Sequence, residues 1–262
     1  MTVEATINYV APMPERPYYF LYEPPAGTPS RNTKGDRRTM AIHDARALQP
    51  APSLDREGFA LARLETTVRD FADPAAVKSV YYRDAESLAR DVTGAARVVA
   101  FDHNLRSAGD RAEGVQAPVR FAHNDYTEHS GPQRVRDLLF DEADALLSRR
   151  FAVINVWKPI RQPVEQAPLA VCDARSLRME DFIPTDLRYR DRTGEVYSLR
   201  WSPAHAWFYF PRMTPDEAML LKCYDSAGDR ARFTAHSAFD DPGGRADAPA
   251  RESIEVRTLA FF

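Results

Sequence analysis

The stretch Ala117-Pro-Val-Arg-Phe-Ala-His-Asn-Asp-Tyr-Thr127 contains the triplet His123-Asn124-Asp125. On an extended strand side chains alternate between faces, so the His123 imidazole and the Asp125 carboxylate point the same way and can hold one divalent ion. That is two-thirds of a 2-His-1-carboxylate facial triad, an arrangement that leaves three coordination positions open on the opposite side. The third ligand must come from a distant part of the chain.

His205 and His236 are the candidates. His205 precedes Ala-Trp-Phe-Tyr-Phe210, an apolar strand in which a histidine more often satisfies the sheet than binds a metal. His236 sits in Phe233-Thr-Ala-His-Ser-Ala-Phe239, a short strand-like run entering a loop rich in Gly and Pro. Beyond that loop, Arg251-Glu-Ser253 leads into Ile254-Glu-Val-Arg-Thr-Leu-Ala-Phe-Phe262. Alternation places Arg251, Ser253, Glu255 and Arg257 on one face and Ile254 and Val256 on the other. Alone, such a face suits a solvated edge strand. Beside a metal it suits a chelated dicarboxylate, whose far end an Arg can bind with two parallel N–H bonds and a Ser with a third. Both Arg251 and Arg257 can face inward, so each is a candidate for that role.

Outward from this region, 262 residues with 44% hydrophobic content are enough for one large domain with a full core. A net charge of −3 without a long single-sign run argues against nucleic acid and acidic membranes as partners. The two cysteines, Cys172 and Cys223, lack a metal-knuckle spacing and read as free thiols. The first ten residues carry an acid and no basic segment before an apolar core. No apolar run is long enough to span a bilayer, so a cytoplasmic location is expected. Twenty prolines against eleven glycines, and 11% aromatic residues, favour sheet over helical bundle.

Along the chain, residues 3–10 read as a first strand, followed by a proline-rich arm and a polar, exposed run over 31–38. Phe59, Leu61 and Leu64 suggest strand. Short helices are expected after Asp73-Pro74 and over 84–92. Residues 95–104, 151–157 and 168–173 read as core strands, and Asp191-Arg-Thr-Gly194 as a hairpin turn. Ser130-Gly-Pro-Gln133 has the form of a capping box, and helical spacing predicts one helix over about 132–148. Thr214-Pro-Asp-Glu217 has the same form and predicts a short helix to about Lys222. Many short strands and few helices give a mainly β fold, a jelly-roll-like double sheet with flanking helices.

These blocks taken together resemble a known family. H-x-D, a distal His and R-x-S form the motif set of the Fe(II)/2-oxoglutarate-dependent oxygenases. The blocks Phe101–Arg106, His123–Tyr126, Phe151–Trp157 with Pro159 and Arg161, Pro168–Asp173, Tyr209-Phe-Pro with Thr214–Glu217, Cys223–Ser226 and His236–Phe239 are similar to its cephem-methoxylase and gibberellin-desaturase-like branch. The resemblance covers about residues 95–262. It implies a double-stranded β-helix, cupin-like in form, over residues 1–262 as a single domain, with 1–94 shaping the substrate side and 95–262 forming the core. It implies Fe(II) on His123, Asp125 and His236, 2-oxoglutarate held at its far carboxylate by Arg251 and Ser253, and dioxygen as oxidant. Arg120, Tyr126, Asn155, Trp157, Arg161 and Arg257 are candidates for contact with a polar substrate, while His43, His103 and His129 are expected at the surface or behind the site.

The implied activity is oxidation of a small molecule of specialised metabolism by hydrogen abstraction, ending in hydroxylation, desaturation or oxidative cyclisation. Two other classes compete. A cupin-like jelly roll that binds a metal or ligand without turnover would keep the histidines but have no use for Arg251 and Ser253. A Zn hydrolase could use the same three ligands. A homodimer is compatible with the sequence.

Overall fold

A computed structural model describes residues 1–109, 114–245 and 247–262. In chain order the first strands are β1 (Thr2–Val10), β2 (Tyr18–Phe20), β3 (Gly35–Asp44), β4 (Phe59–Arg63), β5 (Arg97–Ser107), β6 (Val115–Gln116) and β7 (His123–Asn124). They are followed by β8 (Phe151–Pro159), β9 (Leu169–Cys172), β10 (Phe182–Arg188), β11 (Thr193–Leu199), β12 (Trp207–Tyr209), β13 (Glu217–Asp225), β14 (His236–Ala238) and β15 (Glu252–Phe261). Two sheets face one another. One is ordered β1-β3-β12-β9-β14-β7-β11-β10-β2, and the other β4-β13-β8-β15-β5-β6.

Strand alternation divides the core into two layers. In β8, Phe151, Val153 and Trp157 point between the sheets, while Ala152, Ile154 and Val156 point to the outer face of the second sheet. In β15, Leu259 and Phe261 face inward and Ile254, Val256 and Ala260 face outward. The outer layer is covered by helices α1 (Pro74–Ala76) and α2 (Tyr82–Thr93), which are joined by a π-helical turn, Val77–Tyr81. Asp73 caps this run through the Ala75 N–H, as the Asp-Pro pair predicted. Gly94, at φ 70°, ends it in the left-handed conformation that favours glycine. The two short helices expected here are thus one continuous helical run.

Three other expectations are corrected. The helix predicted over 132–148 is two pieces, α3 (Ser130–Leu138) and α4 (Ala143–Leu147), separated by a single 3₁₀ turn. Leu139, at φ −127° and ψ 46°, redirects the chain. Leu139, Leu146 and Leu147 then pack against the core, and Leu138 and Phe140 are left exposed. The Ser130–Gln133 capping box does not form. Thr127 caps instead, its hydroxyl accepting from the His129 and Ser130 N–H groups, while the Gln133 amide donates to Asp137. Gly131 fits directly under the Tyr224 ring, where a Cβ would lie 2.8 Å from a ring carbon.

Half of the Thr214 box forms: the Thr214 N–H donates to the Glu217 carboxylate at 3.0 Å, while the Thr214 hydroxyl donates to Asp216 and the Glu217 N–H to the Thr214 backbone carbonyl. Yet the chain beyond it forms no helix: it enters strand β13, central between β4 and β8. Ala218 to Asp225 are buried, and a strand buried on both faces reads as an unbroken apolar run that periodicity cannot tell from a helix. The polar run 31–38 is largely exposed, as expected, and from Gly35 it forms the start of β3, paired with β1. The hairpin at 191–194 is present, joining β10 to β11. No helix among the described residues is long and apolar enough to cross a membrane.

Candidate metal centre

β7 is two residues long, and it is enough. His123 pairs with His236 of β14 on one side and with Ser198 of β11 on the other, so the register of the first sheet sets the two imidazoles side by side, ring centres 4.4 Å apart. Asp125, just past the strand, turns back toward them. Its Oδ1 lies 3.4 Å from His123 Nε2 and 3.9 Å from His236 Nε2. The ligand atoms of these three residues all lie within 4.8 Å of one another.

The imidazoles are oriented for a cation. His123 Nδ1 donates to the Phe121 carbonyl at 2.8 Å, and His236 Nδ1 to the Thr234 carbonyl at 3.1 Å. A carbonyl only accepts, so Nδ1 carries the proton and Nε2 presents its lone pair toward Asp125. Burial, with His123 adjacent, pushes the His236 pKa down to about 4, which keeps it neutral at pH 7. Asp125 would be raised by its own burial, but Arg257 and His123 outweigh that and hold its carboxyl well below the usual range. Two imidazoles and one carboxylate form the donor set of an open divalent site.

The second sheet supplies the support. Arg257 and Asn155 are cross-strand partners on β15 and β8, both on inward-facing positions. The Asn155 amide donates to Asp125 Oδ2 at 2.8 Å and Arg257 Nε donates to the same oxygen at 3.1 Å, leaving Oδ1 toward the histidines. Arg257 also bonds Asp102, and Asn104, with its amide oxygen inward, accepts from the same guanidinium at 2.7 and 3.2 Å. Its fork is fully used.

Arg251 is different. It is 3% exposed, one nitrogen donates to the Ala167 carbonyl, and its Nε has no partner. The buried Ser253 hydroxyl, next on the same face, has none either. Arg251 lies over the Trp157 ring at 5.4 Å. With Trp157, Leu169 and the three ligand residues it lines one pocket. Two orphaned buried donors on one inward face are what a bound carboxylate would satisfy. In this structure the pair of arginines left open by alternation is therefore divided, Arg257 on Asp125 and Arg251 facing the pocket unsatisfied.

The other sequence candidates are scattered. Tyr126 is buried and lines a larger adjoining cavity with Asp125 and Arg257. Arg120 pairs with Asp240 at the surface, and Arg161 with Glu252, also largely exposed. His205 bonds Asp181 and Tyr9 and stacks on the Tyr9 ring, away from the other histidines. His43 meets Thr2, and His103 meets Tyr82. Sequence reading gave no site role to Asp102, Asn104 and Arg106, which sit on β5 opposite Arg257, Glu255 and Ser253. Their signal was a polar residue at every second position of a strand otherwise read as buried.

Comparison with known proteins agrees with this geometry. A family model described as an oxidoreductase/YMDC permease-like domain matches residues 7–261. The chain is 32% identical to the hydroxylase/desaturase efuI of Hormonema carpetanum, over 100% of this chain and 95% of the relative. It is also 32% identical to the Fe(II)/2-oxoglutarate-dependent dioxygenase nvfI of Aspergillus novofumigatus, over 93% and 90% of the two chains. The solved structure of an iron and alpha-ketoglutarate-dependent endoperoxidase, NvfI, superposes with a TM-score of 0.91 at 31% identity, covering 99% of this chain and 98% of that one. These relatives favour the oxygenase over a non-catalytic cupin or a Zn hydrolase, and the jelly-roll fold is theirs as well. The chain belongs to the Fe(II)/2-oxoglutarate-dependent dioxygenases.

Proposed function

We propose that His123, Asp125 and His236 hold the Fe(II), that Arg251 and Ser253 bind the far carboxylate of 2-oxoglutarate, and that the substrate is a small specialised metabolite. Hydrogen abstraction from it ends in hydroxylation, desaturation or oxidative cyclisation. The observation that carries this reading is the pairing, in one pocket, of a three-ligand cluster with Arg251, whose buried Nε has no partner, beside the orphaned Ser253 hydroxyl on the same strand face.

When bound, iron with 2-oxoglutarate and dioxygen supplies the oxidising power, and the protein supplies position and a dry wall. The Phe121 and Thr234 carbonyls hold both imidazoles in the Nδ1–H form. Asn155 and Arg257 keep Asp125 ionised with Oδ1 free for the ion. Trp157 and Leu169 exclude water from the chamber between the ion and Arg251. Residues 1–262 act as one domain. The buried free thiols Cys172 and Cys223 support a reducing, cytoplasmic setting.

The test is product analysis with Fe(II), 2-oxoglutarate and air. Succinate should form even without substrate, at a slow uncoupled rate. His236→Ala should abolish both ion binding and succinate, whereas His205→Ala should keep ion binding. Ion binding retained in the first variant would refute the ligand assignment.

A further inference from the structure

The chamber between the three ligand residues and Arg251 holds about 20 Å³, room for about one water. A five-carbon diacid fits only after part of the wall moves, and most of the wall is fixed. The Phe121 and Thr234 carbonyls tie both imidazoles, Asn155 and Arg257 tie Asp125, and Trp157, Leu169 and Arg251 are buried. Val119 is anchored through its carbonyl, which accepts from the Ala238 N–H at 2.8 Å. Arg106 is the exception. It is partly exposed, and its side chain makes one hydrogen bond among the described residues, from Nη1 to the Ala117 carbonyl at 2.8 Å.

Behind Arg106 lies a recess of about 590 Å³, bounded by the loop ahead of α1, the end of β5 and the start of β15. Arg106 lines both spaces, and no other described residue does. Its cross-strand partner Ser253 also lines the recess, and the Ser253 hydroxyl is buried there without a hydrogen-bond partner. Arg251 and Glu255 flank Ser253 on the same face of β15 and line the chamber, so the recess reaches the Arg251 end of the chamber rather than the ion. The cavity beside α3, by contrast, shares only Asp125 with the chamber. A diacid coming from that side has to cross the metal first.

The lining of the recess favours an anion, with three guanidiniums against two carboxylates. Arg161 and Glu252 pair at 2.7 Å, and Asp70 accepts from the Ala72 N–H at 2.9 Å. That leaves Arg69, exposed at the mouth, and Arg106, at the inner end, without an ion pair among the described residues. In the chamber beyond, Asp125 is taken by Arg257, and Glu255 is one carboxylate shared between Arg106 and Arg251. Positive charge in excess along a passage draws in a small dianion.

We propose that this recess takes small dicarboxylates in transit: 2-oxoglutarate enters and succinate leaves through it, and Arg106 is the gate. The organic substrate then uses a different opening, and the two exchange independently. The proposal rests on Arg251 binding the far carboxylate, as read above.

Cys172 and Cys223 are buried, so a polyethylene glycol maleimide reacts only with an introduced surface cysteine. It is attached at Ala72→Cys or Val115→Cys in the recess, and at Arg192→Cys in the cavity beside α3 as the control. Stopped-flow tryptophan fluorescence gives the association and dissociation rates of 2-oxoglutarate on Mn(II)-loaded protein, and calorimetry gives its Kd. A plug in a passage slows entry and exit alike, so the recess adducts should lower both rates at least about tenfold and leave Kd unchanged. The Arg192 adduct should bind at the wild-type rate. Arg106→Ala, without adduct, should speed association and dissociation together. Wild-type rates in the recess adducts overturn the proposal, as does slowing by the Arg192 adduct alone. A changed Kd in the recess adducts also overturns it, because the recess would then be part of the final seat. Faster dissociation alone in Arg106→Ala would make Arg106 a carboxylate ligand and remove the gate. No association of 2-oxoglutarate with the wild type would instead overturn the co-substrate assignment on which the proposal rests.

Discussion

Replacing Arg251 by Met should make the metal-loaded protein without co-substrate more stable and destroy its affinity for 2-oxoglutarate. Arg251 carries its charge into a site where it is 3% exposed and Nε has no partner. Burial first, then the like charges of Arg106 and Arg120, lowers its pKa from 12.5 to about 9. The charged guanidinium is thus penalised in the folded chain by about 5 kcal/mol as a ceiling, a cost present at pH 7. Met keeps the length and apolar packing over Trp157 but abandons the Ala167 carbonyl, which costs about 1–3 kcal/mol. The difference leaves a gain of about 2 kcal/mol, or about 5 °C in Tm for a chain of this size. Against this, two charge-assisted bonds to the far carboxylate are lost, so 2-oxoglutarate should bind at least about 100-fold more weakly. Thermal melts of Mn(II)-loaded wild type and variant, with and without 2-oxoglutarate, read both effects. A variant that 2-oxoglutarate stabilises as much as wild type would refute the assignment. A variant that melts lower than wild type without co-substrate would refute the claim that the unpaired charge is a cost.

Two further perturbations probe the support around the site. Asn155→Ala removes a neutral donor from Asp125 without changing charge, and divalent-ion affinity measured by calorimetry should fall about tenfold; an unchanged Kd would show that Arg257 alone orients the carboxylate. Lys158, 2% exposed and donating to the Leu64 carbonyl, has its pKa lowered by burial from 10.5 to about 8, so between about pH 8 and 10.5 the unfolded chain binds more protons than the folded one. Wild-type stability relative to Lys158→Met should therefore rise with pH across that window in urea titrations, and a flat difference would contradict the shift.

Much of the site was readable because its chemistry is local in sequence. His123 and Asp125 lie two apart, Arg251 and Ser253 lie two apart, and the strand period alone tells which side chains travel together. The strands Phe151–Pro159, Leu169–Cys172 and Glu252–Phe261 were legible for the same reason. Helical signals were less dependable. The capping-box form at Thr214 is half satisfied, by the Glu217 carboxylate on the Thr214 N–H, yet burial on both faces makes Ala218–Asp225 a strand, since local preference yields to a central place in a sheet.

By itself the sequence determined the fold class, the H-x-D pair and the inward face of the last strand, all consequences of a two-residue period. The sequence and its resemblance favoured His236 over His205 as their distant companion, and the tertiary structure shows how it comes beside His123, through β14 pairing with β7. It likewise divided two equivalent arginines, giving Arg257 to Asp125 and leaving Arg251 without a counter-charge, because their separation along β15 sets them at different depths of the sandwich. Partner choice across sheets is a matter of register and distance between segments far apart in the chain, and neither is written in any single stretch of residues.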